Sequence, residues 1–130
     1  MTFVDTSALY AVLDRDDANH DVARQTWDRL LQSPEALMTH NYVLVETAAI
    51  VQNRLGMPAL RAFQERIVPI LQVHWVTESE HSTAMEMAIA ASRRRLSLVD
   101  CMSFLMMRAQ TISNVFCFDK HFAEQGFISV

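Results

Sequence analysis

Short uninterrupted apolar runs alternate along this chain with longer stretches in which apolar residues recur every three to four positions. The runs Thr2 to Val4, Ala36 to Thr39, Val73 to Val76 and Val115 to Phe118 read as buried strands, and Gly126 to Val130 offers a last one. The longer stretches predict helices. One spans Ser7 to Leu13, with cap chemistry from Asp5 and Thr6 ahead of it. A second, Ala18 to Gln32, sets Val22, Ala23, Thr26, Trp27, Leu30 and Leu31 on one face. Others run from an Asn41 cap to Leu55, where Gly56 and Pro58 stop it, then on to about Val68, from Ser79 to Arg94, and from Leu98 to Gln110. The Leu98 helix is almost wholly apolar and therefore belongs at the centre. Strands alternating with helices predict an α/β fold, a parallel sheet wrapped on both faces, because right-handed crossovers place helices there.

Composition narrows this picture. The 130 residues, 51% hydrophobic and 20% charged, suit one globular domain spanning 1–130, with no linker, repeat or low-complexity segment. No apolar run approaches the roughly 20 residues of a membrane span, and no membrane partner is expected. The start MTFVDTSALY lacks the positive region of a secretory signal, which predicts a cytoplasmic protein. Cys101 and Cys117 lie in apolar surroundings without CxxC spacing and are expected to be buried free thiols. A net charge of -4 argues against a globally basic nucleic-acid binder, and the two glycines form no phosphate-cradling loop.

The informative feature is four solitary acids. Asp5 is the only charged side chain from Met1 to Leu13, Glu46 the only one from Ala36 to Asn53, and Asp100 stands alone from Leu96 to Met107. Asp119 closes the charge-free run from Ala109 to Phe118. Burying a carboxylate is costly unless cations or donors compensate. Asp5 and Asp119 follow predicted strands, where open α/β sheets place ligands, and Asp100 and Glu46 fall in the first turns of helices. Tyr42, Val43, Ala49 and Ile50 flank Glu46 at helical spacing and set it on an apolar face. Each acid has a plainer role: N-caps for Asp5 and Asp100, a solvated helix position for Glu46, a turn or ion pair for Asp119. Taken together they predict one carboxylate-held site for a divalent cation, Mg²⁺ or Mn²⁺, for which an all-oxygen ligand set is suited.

The segments FVDTSAL, NYVLVET, LSLVDCMSF and FCFDKHF, which carry these acids, resemble the PIN domain, particularly VapC-type toxins of bacterial toxin-antitoxin pairs. The resemblance covers essentially the whole chain. It implies a three-layer fold with a short parallel sheet of four or five strands, and Asp5, Glu46, Asp100 and Asp119 as both catalytic residues and ligands of Mg²⁺ or Mn²⁺ for RNA phosphodiester hydrolysis. Thr6 and Ser103 match polar positions beside that site. A cognate antitoxin protein and a homodimer are also implied. His40 and Asn41 stand where relatives often carry small hydroxyl residues.

Without the four acids the chain is neutral, so RNA must be gripped locally. Arg93, Arg94, Arg95, Lys120 and His121 are candidates, against the plainer role of a solvated helix end. A HAD-type phosphatase would need a second acid at Ser7, and the histidines lack zinc-ligand spacing. The non-enzymatic alternative is a catalytically silent module of the same fold that binds RNA or a protein partner.

Overall fold

The computed structural model describes residues 1–130. Strand β1 (Thr2–Val4) leads into α1 (Thr6–Leu13) and α2 (His20–Gln32), followed by β2 (Leu37–His40), α3 (Asn41–Leu55) and α4 (Met57–Ala62). The α4 axis continues through a π-helical turn, Phe63–Ile67, and a 3-10 turn, Val68–Ile70, into β3 (Gln72–His74). Then come α5 (Glu78–Ala91), α6 (Leu98–Ala109), β4 (Asn114–Phe116), α7 (His121–Glu124) and β5 (Ile128–Ser129). No helix is long and apolar enough to cross a membrane.

All five strands run parallel in the order β3-β2-β1-β4-β5. Phe3 pairs with Met38 on one side and Val115 on the other, so β1 is central and buried throughout. From β1 the chain steps outward to β2 and β3, then crosses back to β4. Right-handed crossovers therefore place α1 to α4 on one face and α5 and α6 on the other. The contacts of α1 with α2 and α3, and of α5 with α6, follow that division. The reversal between β1 and β4 opens a crevice at their carboxyl ends, where the topology favours a ligand.

One cluster of 27 buried residues forms the core. The α6 helix earns its central place: Cys101, Met102, Phe104, Met106 and Met107 are all buried, and Phe104 packs edge-on against Phe122. Cys101 and Cys117 are buried and unpaired, as their surroundings predict.

Three local expectations are corrected. The N-cap of α3 is His40, whose imidazole accepts from Val43 N–H, while Asn41 Oδ1 accepts from the Val76 amide at 2.6 Å. The α5 helix stops at Ala91 because Ser92 turns left-handed at φ 51°, so the three arginines occupy a turn and not a helix end. Strand β3 covers Gln72–His74, earlier than the apolar run suggests, with Asn41 instead engaging the chain at Val76. Gly56, at φ 90°, supplies the positive angle needed between α3 and α4.

Candidate metal centre

Each acid is placed by a local device that also orients its carboxylate. Asp5 caps α1: its Oδ2 accepts from the Ser7 amide at 3.1 Å and the Ser7 hydroxyl at 2.7 Å. The same hydroxyl accepts from Phe118 N–H at 2.9 Å, tying the segment after β4 to the start of α1. Asp5 N–H donates to Phe116 O at 3.0 Å, which prolongs the β1–β4 pairing to the edge of the crevice. Ser7, between two strand ends, was not among the residues the sequence singled out for the site.

Asp100 is not the N-cap of α6. Ser97 is, and Asp100 sits three residues on as the acidic partner of a capping box: Asp100 N–H donates to Ser97 Oγ at 3.0 Å, and Asp100 Oδ2 accepts from Ser97 N–H at 3.1 Å. Asp119 Oδ1 accepts from His121 N–H at 2.9 Å at the entry to α7. All three aspartates thus spend one oxygen on the backbone and leave the other without a donor. Replacing Ser97 by Ala removes half of the box and is expected to cost about 1 kcal/mol, read from urea unfolding, with a further loss of activity because Asp100 swings more freely.

Asp5, Glu46, Asp100 and Asp119 line a single cavity of ≈ 420 Å³, with Thr6 and Ser7 in the same wall. Burial is the main reason that Asp5 is pushed up to about 7; the Ser7 bonds oppose it, and the charges of Asp100 and Glu46 add to it. Burial also raises Glu46, with Asp100 and Asp119 repelling its charge and the nearby Thr6 hydroxyl easing it. The Thr6 contact falls short of a full hydrogen bond, and its Oγ1 is buried without a partner. Asp100 is raised by burial, eased by the Ser97 amide and pushed further by Asp119. Asp5, Glu46 and Asp100 therefore each carry a load from their acidic neighbours, which a bound cation relieves.

His121 joins them in a way the sequence did not specify. Its ring is buried, and its metal-ligating atom falls within 4.8 Å of those of Asp100 and Asp119. Nδ1 is 3.0 Å from Asp119 Oδ1 and 3.7 Å from Asp100 Oδ2, at angles that complete no hydrogen bond. Ser103 is not in the cavity wall: it is fully buried, donates to Val99 O at 2.9 Å and pairs with His40 Nε2 at 2.8 Å. Of the basic candidates only Arg95 lines the cavity, and Arg93 is paired with Glu124 at 3.1 Å. Arg54, which the sequence reading passed over, lines it as well. It lies two helical turns beyond Glu46 with Ile50 between them, a spacing visible in the sequence once that face of α3 is known to front a site.

Known proteins give the same architecture. A family model, the PIN domain, matches residues 2–128. The chain is 35% identical over 131 residues to the 23S rRNA-specific endonuclease VapC20 of Mycobacterium tuberculosis, in both strain CDC 1551 / Oshkosh and strain ATCC 25618 / H37Rv, covering 100% of this chain and 98% of the relative. It is also similar to the crystal structure of M. tuberculosis VapC20, described as a Sarcin-Ricin loop cleaving toxin, with a TM-score of 0.88 at 34% identity over 100% of this chain and 98% of that one.

Proposed function

The chain belongs to the PIN domain family, and on that footing we propose that it is a metal-dependent endoribonuclease, the toxin of a toxin-antitoxin pair. The observation that carries the reading is the convergence of Asp5, Glu46, Asp100 and Asp119, from four separate segments, on one cavity at the β1–β4 crevice. The donor set fits a hard divalent cation: carboxylate oxygens, each aspartate with one oxygen unspent, in a site whose burial penalises uncompensated charge. Mg²⁺ or Mn²⁺ is the proposed ion.

In this mechanism Asp5, Asp100 and Asp119 hold the ion. When bound, the ion supplies a more acidic water and positive charge against the phosphate during in-line attack. Glu46, whose carboxyl is held above its ordinary value by burial and its acidic neighbours, orients the attacking water and receives its proton. The Thr6 hydroxyl eases the Glu46 charge, and Ser103 acts at one remove by fixing His40 between α3 and α6. The relative named for 23S rRNA makes the sarcin–ricin loop the first substrate to assay. A cognate antitoxin that blocks the cleft, and a homodimer, complete the proposal. Co-expression with the neighbouring small gene and light scattering test them.

The decisive assay is cleavage of ribosomal RNA under Mg²⁺ or Mn²⁺ titration. Activity that appears with the ion, vanishes in EDTA and returns on adding the ion is expected. RNA binding with no cleavage in either metal would refute the enzyme and leave a silent RNA-binding module.

A further inference from the structure

The cavity that holds the four acids also contains Asp17, and these five carboxylates face only two cations, Arg54 and Arg95. Neither arginine forms a direct ion pair, although Asp14 feels the charge of Arg54. The one arginine ion pair in the chain is Arg93 with Glu124. Both are exposed, and Arg54 is steered by its neighbours. The Arg54 guanidinium lies 5.5 Å from the centroid of the Tyr10 ring, and the Tyr10 hydroxyl donates to Asp14 Oδ2 at 2.7 Å, so the aromatic face that carries Arg54 is itself fixed. Arg95 lies inside the Arg93–Leu96 turn, which buried Leu96 closes, two residues ahead of the Ser97 cap. Arg54 lies beyond Glu46, about 12 Å along α3 by helix rise. Arg95 comes from the turn that leads into α6, five residues before Asp100.

An arginine among carboxylates ordinarily forms a bidentate pair. Two that line an acid-rich cavity without such a pair are available to another anion. We propose that Arg54 and Arg95 are the phosphate contacts that hold RNA across the site, one from α3 on one face of the sheet and one from the turn into α6 on the other, and that Arg93 and Arg94 are not. The proposal rests on the nuclease reading for the identity of the anion and assigns which of this chain's bases grip it. The polyanion meets an unfavourable field everywhere else in the cavity, so the two arginines fix where the backbone enters and leaves. Tyr10 and Asp14 act through Arg54 as positioning residues.

Binding is measured apart from catalysis in an Asp5→Asn, Asp119→Asn background, which lowers the repulsion and needs no divalent ion. The probe is a short fluorescein-labelled oligouridine, followed by anisotropy from about 50 to about 200 mM salt. Arg54→Ala and Arg95→Ala are each expected to weaken binding about tenfold and to reduce the salt slope by about 0.7, the share of one single-strand phosphate contact. Arg54→Lys and Arg95→Lys restore the slope but not the full affinity. Arg94→Ala matches the parent. The proposal is overturned if the parent does not bind, if the two alanine variants bind as the parent does, or if Arg94→Ala weakens binding as much as Arg95→Ala. Wild-type protein inert toward RNA in Mn²⁺ would instead defeat the nuclease reading, while the binding series still judges the arginines.

Discussion

Replacing Asp5 or Asp100 by Asn is expected to lower RNA cleavage at saturating Mg²⁺ or Mn²⁺ by about 10²–10³-fold, and Asp5→Asn is expected to make the metal-free protein more stable. The amide keeps the shape and can still accept from Ser7, so the cap on α1 survives. What disappears is a charge that the fold resists. Burial lifts Asp5 from 3.8 to about 7, so between those values the folded state holds a proton that the unfolded state has released. Metal-free stability therefore falls as pH rises through that window, and above pH 7 the penalty is fully present. Its upper bound is on the order of 4 kcal/mol at 1.36 kcal/mol per pH unit. Thermal melts in EDTA at pH 8 should show Asp5→Asn above wild type. Loss of both activity and stability would mean that the carboxylate is there for the fold.

The second large effect belongs to His40. It is fully buried, and its two ring nitrogens are committed: Nδ1 accepts from Val43 N–H at 3.4 Å, so Nε2–H donates to Ser103 Oγ at 2.8 Å, and the Ser103 hydroxyl in turn donates to Val99 O at 2.9 Å. One imidazole thus joins the start of α3, which carries Glu46, to α6, which carries Asp100. Burial, aided by His74, pushes His40 down to about 3. The neutral ring's stabilisation is complete above pH 6.5 and is lost as pH falls from there toward 3, opposite in sign to the Asp5 contribution. His40→Ala leaves a cavity and an uncapped α3, and should cost about 3 kcal/mol at pH 7 in urea unfolding, with a weaker dependence on pH between 4 and 6.5. A loss below about 1 kcal/mol would show that the network is dispensable.

Much of this was legible in the sequence because its causes are local. Asp5 had to be visible: a lone carboxylate between an apolar strand and a helix start has few uses besides capping and ligation, and here it caps while keeping one oxygen free. The Leu98 helix was equally plain, since a continuous apolar surface fits only the centre of the fold. Caps were harder. Histidine is a rare N-cap, so Asn41 looked the better choice at α3, and Asp100 looked like the cap of α6, where it is the reciprocal partner of the Ser97 cap. The short α7 escaped notice because four residues carry too little periodicity. Arg54 was out of reach for a different reason: nothing near it in sequence marks it, and only the packing of α3 against α1 brings it to the acids, whereas His121, marked by its place beside Asp119 as a base for RNA, is instead turned into the acid cluster.

Crystals grown with MnCl₂ and measured at the manganese edge test the shared ion site most directly. An anomalous peak in the cavity, within coordination distance of the carboxylates of Asp5, Asp100 and Asp119, is the expected result, with the peak absent from Asp5→Asn crystals. Manganese bound only elsewhere, with those three carboxylates satisfied by their backbone donors and solvent, would contradict it.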